Sequence, residues 1–361
     1  MTSKLHDLIA LAHEPSSERR RELLRGVTDL FFTSEGHGAA EMGLFDQVMN
    51  DLAGEMEAAV RAELAGRLSA ASVLPPRLSR RLAHDDIEIA RPLLGSGPLS
   101  QAELIDVAST GGQDHLRAIS RRHDVSSDLA DAIVAKGDDT TLGVLLRNDR
   151  AVLSRRAHET AVDRAIANPD LHEAVVSRAA VPPDLLNEMY FVVETRLRDS
   201  ILARNAGMDP AALEAALSVG RNRMAFRDGV LPADYAEAEA QIGKMHAANK
   251  IGPEQLASWL RAKKTTLFLV ALATMADIDF HTARRIVEKV DLDALAIVCR
   301  AAGFNASLFL TFAVLIQPND AHAMGKAREY GALYSAVTPE AAMRTIRFWR
   351  MRRQTGDVQA A

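Results

Sequence analysis

Metal binding, acid–base work and phosphate cradling each need particular side chains at particular spacings, and this sequence holds few such constellations. Metal ligands come as His, Cys or carboxylate groups set together, often four residues apart on a helix. His6 and His13 stand seven apart on one expected helix with no third ligand. His84-Asp85-Asp86 occupies an expected inter-helix turn, where Asp serves the local backbone. His123 follows Leu116 and Ile119 on one helical face and reads as a packed or edge histidine. The single cysteine, Cys299, ends the apolar run Leu295-Ala-Ile-Val-Cys and reads as a buried small hydrophobe, not a thiolate. Gly36-His-Gly and Gly95-Ser-Gly-Pro lack the preceding strand and the Lys-Ser/Thr pair of a phosphate loop, and there is no Gly-x-Ser-x-Gly elbow. The expectation is a protein with no catalytic residue, no metal and no cofactor, hence not an enzyme.

Arginine is the side chain with a pattern. Ser-Arg-Arg recurs at 79–81, 120–122 and 154–156, and Arg117 lies one turn before Arg121. Residues 75–190 nevertheless hold 14 basic against 18 acidic residues. Phosphate-backbone binding draws on accumulated positive charge, and base stacking on aromatics. The only aromatics near this block are Tyr190 and Phe191 at its end. Nucleic acid is therefore disfavoured as its partner. A second cluster closes the chain: Arg344, Arg347, Arg350, Arg352 and Arg353 interleave with Met343, Ile346, Phe348, Trp349 and Met351, a basic amphipathic helix. Its first reading is a docking helix over the domain before it. The other readings are contact with an acidic protein, an anionic membrane surface or nucleic acid. The candidate partner-binding residues are Arg117, Arg121, Arg122, Arg344, Arg347 and Arg350.

The elements that position these arginines are short helices in repeating pairs. Ala83, Ala108 and Ala135 each open a polar, acid-bearing turn, 25 and 27 residues apart. Before them come runs carrying Leu78/Leu82, Leu104/Val107 and Leu129/Ile133. After them come Ile89/Leu93/Leu94, Leu116/Ile119 and Leu142/Leu145/Leu146. Two short helices per such unit is the signature of an α-solenoid. Ser100 with Glu103 makes a capping box, and Ser126/Ser127 start the next helix. Asn148 and Asn168 read as turn residues that end helices.

Ahead of the array, Leu5, Leu8, Ile9 and Ala12 form one helical stripe and Leu23, Leu24, Val27, Leu30 and Phe31 a second. Leu44, Val48, Leu52, Met56, Val60, Leu64 and Leu68 then predict one helix from Glu41 to Ala70, roughly 40 Å long at about 1.5 Å per residue. Beyond the array the polar, basic stretch 220–232, bounded by glycines, is the expected domain boundary. Six further helices follow to Ile316, and Thr338-Pro-Glu starts a helix to about Arg353.

Composition agrees with this plan. Of 361 residues, 48% are hydrophobic and 5% aromatic, so the core is built from Leu, Ala, Val and Ile. The net charge is −5, which predicts a solvated surface and not a polycation. The apolar runs 267–276 and 307–316 are far short of the roughly 20 residues that span a bilayer, and no export signal is expected. With one cysteine, cytoplasmic residence is expected.

Leu82-Ala-His-Asp-Asp-Ile-Glu-Ile-Ala-Arg-Pro-Leu-Leu, Leu99-Ser-Gln-Ala-Glu-Leu-Ile and Ala118-Ile-Ser-Arg-Arg-His-Asp-Val-Ser-Ser-Asp-Leu-Ala-Asp-Ala-Ile-Val resemble the repeat core of a bacterial domain-of-unknown-function family. The turns at Arg147-Asn-Asp and Ala167-Asn-Pro-Asp are similar to those of leucine-rich-repeat-variant and HEAT-like arrays. With Arg300-Ala-Ala-Gly-Phe, the resemblance covers roughly residues 5–317. It implies an all-helical solenoid in the bacterial cytosol and brings no catalytic residue. The irregularity after Ala151 leaves the number of units open.

The expected protein is all-α: a HEAT-like α-solenoid of short helix pairs with a long N-terminal helix and a second C-terminal helical unit. Its parts are an N-terminal cap at 1–74, the array at 75–220, a helical domain at 233–317, C-terminal helices at 318–353 and a disordered tail at 354–361. The expected function is a scaffold or regulatory adaptor for an unidentified protein partner, with no transmembrane segment. The alternative is association with nucleic acid through the arginine clusters or the basic C-terminal helix.

Overall fold

The computed structural model describes residues 17–33, 37–190, 192–219, 230–317 and 323–356, and all regular structure among them is helical. The expected helix over 5–12 and residues 220–229 of the expected boundary lie outside the described residues. The chain divides into two compact units, residues 1–197 and 198–361.

In the first unit α1 (Ser17–Thr33), α2 (Ala39–Gly54) and α3 (Ala58–Leu68) precede a run of short helices. These are α4 (Pro76–Ala83), α5 (Ile87–Ser96), α6 (Gln101–Thr110), α7 (Gln113–Ser120), α8 (Ser127–Lys136) and α9 (Asp139–Leu146). The run ends with α10 (Arg155–Ala167), α11 (His172–Ser177) and α12 (Pro183–Met189).

They pack as two layers in which neighbours lie two places apart in the chain. One layer joins α2 to α4, α6 to α8, α8 to α10 and α10 to α12. The other joins α3 to α5, α5 to α7, α7 to α9 and α9 to α11. This is the packing of a solenoid. The leucines and isoleucines that marked the repeat lie between the layers: Leu78, Leu82, Leu104, Leu116, Ile119, Leu129, Ile133 and Leu145 are 0% exposed.

Two features of this unit correct the sequence reading. The expected long N-terminal helix is two helices, α2 and α3. Glu55 closes the first at φ −105°, ψ 2°, and Glu57 opens the second in extended backbone at φ −61°, ψ 152°. Residues spaced by fours stay buried across the break, Leu52, Met56, Val60 and Leu64 included, so apolar spacing alone could not reveal it. Gly54 ends α2, and a Cβ there would come within 3.1 Å of the Arg81 guanidinium, the movable end of a long side chain. The repeat register also differs. The N-caps of α5, α7 and α9 are Asp86, Gly112 and Asp138, a period of 26. Ala108 is thus one residue out of step with Ala83 and Ala135.

The second unit holds the rest: α13 (Thr195–Ala206, whose last turns it contains), α14 (Pro210–Val219), α15 (Tyr235–Ala247), α16 (Pro253–Arg261), α17 (Thr265–Ala276) and α18 (Phe280–Glu288). They are followed by α19 (Leu292–Ala301), α20 (Ala306–Leu315), α21 (Ala327–Ala336) and α22 (Pro339–Gly356). Two apolar helices organise it. α17 packs on α15, α16, α18 and α19, and α19 packs on α18, α20, α21 and α22. Cys299 on α19 is 0% exposed, and burial pushes its thiol well above the ordinary range. α22 runs to Gly356, three residues past its expected end, so only 357–361 of the expected tail lie outside the described residues. Among the described residues no single helix is long and apolar enough to cross a membrane.

Helices of this unit end by one repeated device that the sequence reading did not anticipate. Asn249, Lys263, Asp277, Val290 and Gly303 all have φ between 52° and 72°. After each, the next N–H donates to a carbonyl five residues back: Lys250 to Met245, Lys264 to Trp259, Ile278 to Ala273, Asp291 to Ile286 and Phe304 to Cys299. These are Schellman turns, in which a left-handed residue returns the chain over its own helix. Four of the five use a residue other than glycine, and Val290 is β-branched, the costliest kind at positive φ. Val290→Gly therefore raises stability by about 1 kcal/mol. A thermal melt that shifts upward by a few degrees bears this out; a downward shift refutes it.

Candidate functional site

Stacking short helices buries the C-terminal carbonyls of one pair against the next pair, and the last of them, those of Leu94, Ser120 and Leu146, lie beyond the reach of their own helix's N–H groups. Three side chains, each just past the end of a second-layer helix, supply the missing donors. Arg122, after α7, donates from Nη1 to the carbonyls of Leu93 (3.4 Å) and Leu94 (3.2 Å) on α5. Asn148, after α9, donates from Nδ2 to the carbonyls of Ser120 (2.8 Å) and Arg122 (2.6 Å) at the end of α7. Arg178, after α11, donates to the carbonyls of Leu146 (3.0 Å) and Asn148 (2.8 Å) at the end of α9, and to that of Ala151. Leu94, Ser120 and Leu146 stand one repeat apart, so this is one ladder climbing the seam between repeats.

The ladder is buried and charge-balanced. Arg122 is 3% and Arg178 2% exposed. Arg122 also forks onto Asp124, at 2.7 and 2.9 Å, which holds the Asp124 carboxyl below its ordinary range. Burial pulls the Arg178 guanidinium down, and Asp149 opposes that pull. Asn148 also accepts from the backbone N–H of Arg150 at 3.1 Å, so it is the turn residue expected and a tie between repeats as well.

The opposite ends of the helices carry a matching set of ties. Arg61 forks onto Asp85 at 2.6 and 3.0 Å. Gln113 bonds the Lys136 carbonyl, the Asp138 N–H and the Thr141 hydroxyl. Asn168 and Arg164 both donate to Asp139, and the Asn168 bond first, then Arg164, lowers its carboxyl. At the end of the array Arg155 clamps the buried Asp184 at 2.9 and 2.5 Å; with Glu159 this holds the guanidinium well above its ordinary value. His84 bonds the Arg80 carbonyl, and Asp85, besides Arg61, accepts from the N–H of Asp86, so that turn serves the backbone and the tie to α3.

This arrangement sorts the candidate arginines. Arg122 is corrected as a partner contact: its charge is buried and its donors are consumed. Arg117 is part-buried, bonded to Asp114 at 2.8 Å and facing Asp138 at 3.3 Å, so it is an internal tie. Arg121 is exposed, and its guanidinium reaches only its own helix at the Arg117 carbonyl, 3.3 Å away. Arg344 and Arg347 are exposed on α22, which buries Ala342, Ile346 and Trp349 and packs on α19 and α14. The side chain of Arg350 lies outside the described residues. The two clusters belong to different units, so the candidates do not form one set.

Sequence reasoning missed Arg147 and Arg150 and noted Arg156 only as part of a Ser-Arg-Arg triplet; all three are exposed, close in sequence to Asn148 and Val152 of the seam. The signal that could have found them is the period of 26, which aligns Arg121 with Arg147 and Arg122 with Asn148. The third Ser-Arg-Arg triplet supplies Arg156.

A sequence profile described as "Uncharacterised protein conserved in bacteria (DUF2336)" matches residues 89–347, well over half of the chain. No curated protein and no solved structure matches it.

Arg121 and Arg122 are adjacent in sequence but differ in what they do, and this gives a direct check. Arg122→Ala leaves the Leu94 carbonyl without a donor, opens a buried gap and breaks the fork onto Asp124, and lowers stability by about 2–4 kcal/mol. Arg121→Ala changes it by less than about 0.5 kcal/mol. Paired denaturant titrations that give equal losses refute the assignment.

Proposed function

We propose, on the premise that this chain belongs to the DUF2336 family of proteins conserved in bacteria, that it is a non-enzymatic scaffold or regulatory adaptor that binds another protein. The observation that carries this reading is the registry of the first unit. Successive helix pairs repeat the same seam bonds, so surface side chains at equivalent positions fall into rows along an extended, rigid face. Read as HEAT-like repeats, such rows are how solenoids hold extended partners. The internal ties consume Arg117, Arg122, Arg155, Arg164 and Arg178, which leaves a defined subset of cations for the outside. We place the protein in the bacterial cytoplasm, where a lone buried cysteine such as Cys299 is an ordinary core residue.

A second reading, association with nucleic acid, draws on α22. That helix docks through Ala342, Ile346 and Trp349 and turns Arg344 and Arg347 outward. Its mark is steep salt dependence: affinity for a duplex falls about 10³-fold or more between 50 and 200 mM salt when six or more phosphates are engaged.

A photo-cross-linking residue placed at Arg121, Arg147, Arg150 or Arg156 in the living bacterium is expected to give adducts of one common mass at two or more of these positions. Treatment of the lysate with nuclease leaves those adducts in place. Adducts only from positions on α22, or none that survive nuclease, contradict the scaffold reading.

A further inference from the structure

We infer that the edge carrying Arg121, Arg147, Arg150 and Arg156 docks an acidic, extended segment of a partner protein. This rests on the scaffold reading and gives the partner its chemistry. The four side chains are exposed, and none has a carboxylate partner among the described residues. They come from two stretches of chain that the fold ties together. Asn148 binds the carbonyls of Ser120 and Arg122, and the Val152 N–H donates to the Val125 carbonyl at 2.9 Å.

Local electrostatics accounts for only half of them. Arg121 and Arg147 are the C-caps of α7 and α9, where a cation suits the negative end of the helix. Arg156 lies in the first turn of α10, the end that repels cations, and Arg150 lies in the loop before it. Neither stabilises a helix end. Of the nearby acids, Asp124 is taken by Arg122 and Asp131 accepts from the Ser154 hydroxyl, while Asp128 and Asp149 remain exposed; the four arginines still outnumber the last three. The strip is therefore net positive and interrupted.

That interruption favours a peptide. Guanidinium forks fit carboxylates and phosphates alike. Two exposed carboxylates within the strip repel a continuous phosphate backbone but tolerate separate acidic side chains. There is no Phe, Trp or Tyr from 75 to 189 on which bases could stack, whereas Val152, 60% exposed beside Arg150, offers an apolar contact. Arg121 and Arg147 cap neighbouring helices of one layer, which lie about 8–10 Å apart. A chain in the polyproline II conformation rises about 3.1 Å per residue with three residues per turn, so every third side chain returns to the same face about 9 Å further on. The segment accordingly has acidic residues at every third position.

The probe is a fluorescein-labelled dodecapeptide with Glu at every third position and Leu, Gly and Ser between, read by anisotropy against the full chain in 50 mM salt. The Glu peptide is expected to bind and its Gln counterpart to bind at least about tenfold more weakly, as is usual where paired charges carry the contact. The variant R121Q/R147Q/R150Q/R156Q should lose at least about tenfold, and R77Q/R80Q/R91Q/R196Q, with the same change of charge elsewhere on the unit, less than about twofold. If the first variant loses its helical signal, R150Q/R156Q, which touches no C-terminal carbonyl, should still lose about threefold or more. Equal binding of the Gln peptide, equal loss in both quadruple variants, or tighter binding of an oligothymidylate of matched charge overturns the proposal. None of these results removes cross-linked adducts from the living cell, so the scaffold reading stands or falls separately.

Discussion

The carbonyls at the C-terminal ends of α5, α7 and α9 face the next repeat and must find donors there. A buried carbonyl without a partner costs as much as a lost hydrogen bond. Helices of eight to ten residues, as these are, leave a large share of their carbonyls in that position. Arg122, Asn148 and Arg178 meet the demand from one repeat to the next. Because each donor reaches back to the preceding helix of its own layer, the same bonds that satisfy the helix ends also set the stacking register. Surface position then follows from interior chemistry: with Arg122 and Asn148 turned inward, Arg121 and Arg147 are left facing solvent.

The second unit meets the same demand without long side chains. Five of its helices end in left-handed residues that fold the following N–H back onto a carbonyl of the same helix. That solution is local, so the side chains of the unit are free to fill an apolar core around α17 and α19. The first unit spends arginine and asparagine between repeats; the second spends backbone strain within each helix. Val290 shows how far that goes, since a β-branched residue holds a conformation that glycine adopts at far less cost.

Much of this was legible in the sequence where one residue type has one physical use. Leucines at helical spacing mark the core between the layers, Ser100 with Glu103 forms the capping box, and Asp85 and Asn148 serve turns. The resemblance to an uncharacterised bacterial family, expected over roughly residues 5–317, agrees in kind with the profile match, which begins later and runs further, over 89–347. What stayed hidden depends on facing, which spacing does not encode. Arg121 and Arg122 are chemically identical neighbours, and only the packed repeat shows that one points to α5 and the other to water. The break at 55–57 preserves a four-residue spacing and so imitates one long helix. The left-handed caps are invisible because Asn249, Lys263, Asp277 and Val290 give no glycine signal.

The claim that a carbonyl ladder fixes this edge is tested most directly by residue-resolved amide exchange of the Asn148→Ala variant. The Val152 N–H, bonded to the Val125 carbonyl across the same seam, is the reporter. Loss of the ladder rung should speed its exchange by about tenfold or more while amides of α19 in the second unit exchange as before. An unchanged rate at Val152 would contradict the account, because the seam would then hold its register without the rung.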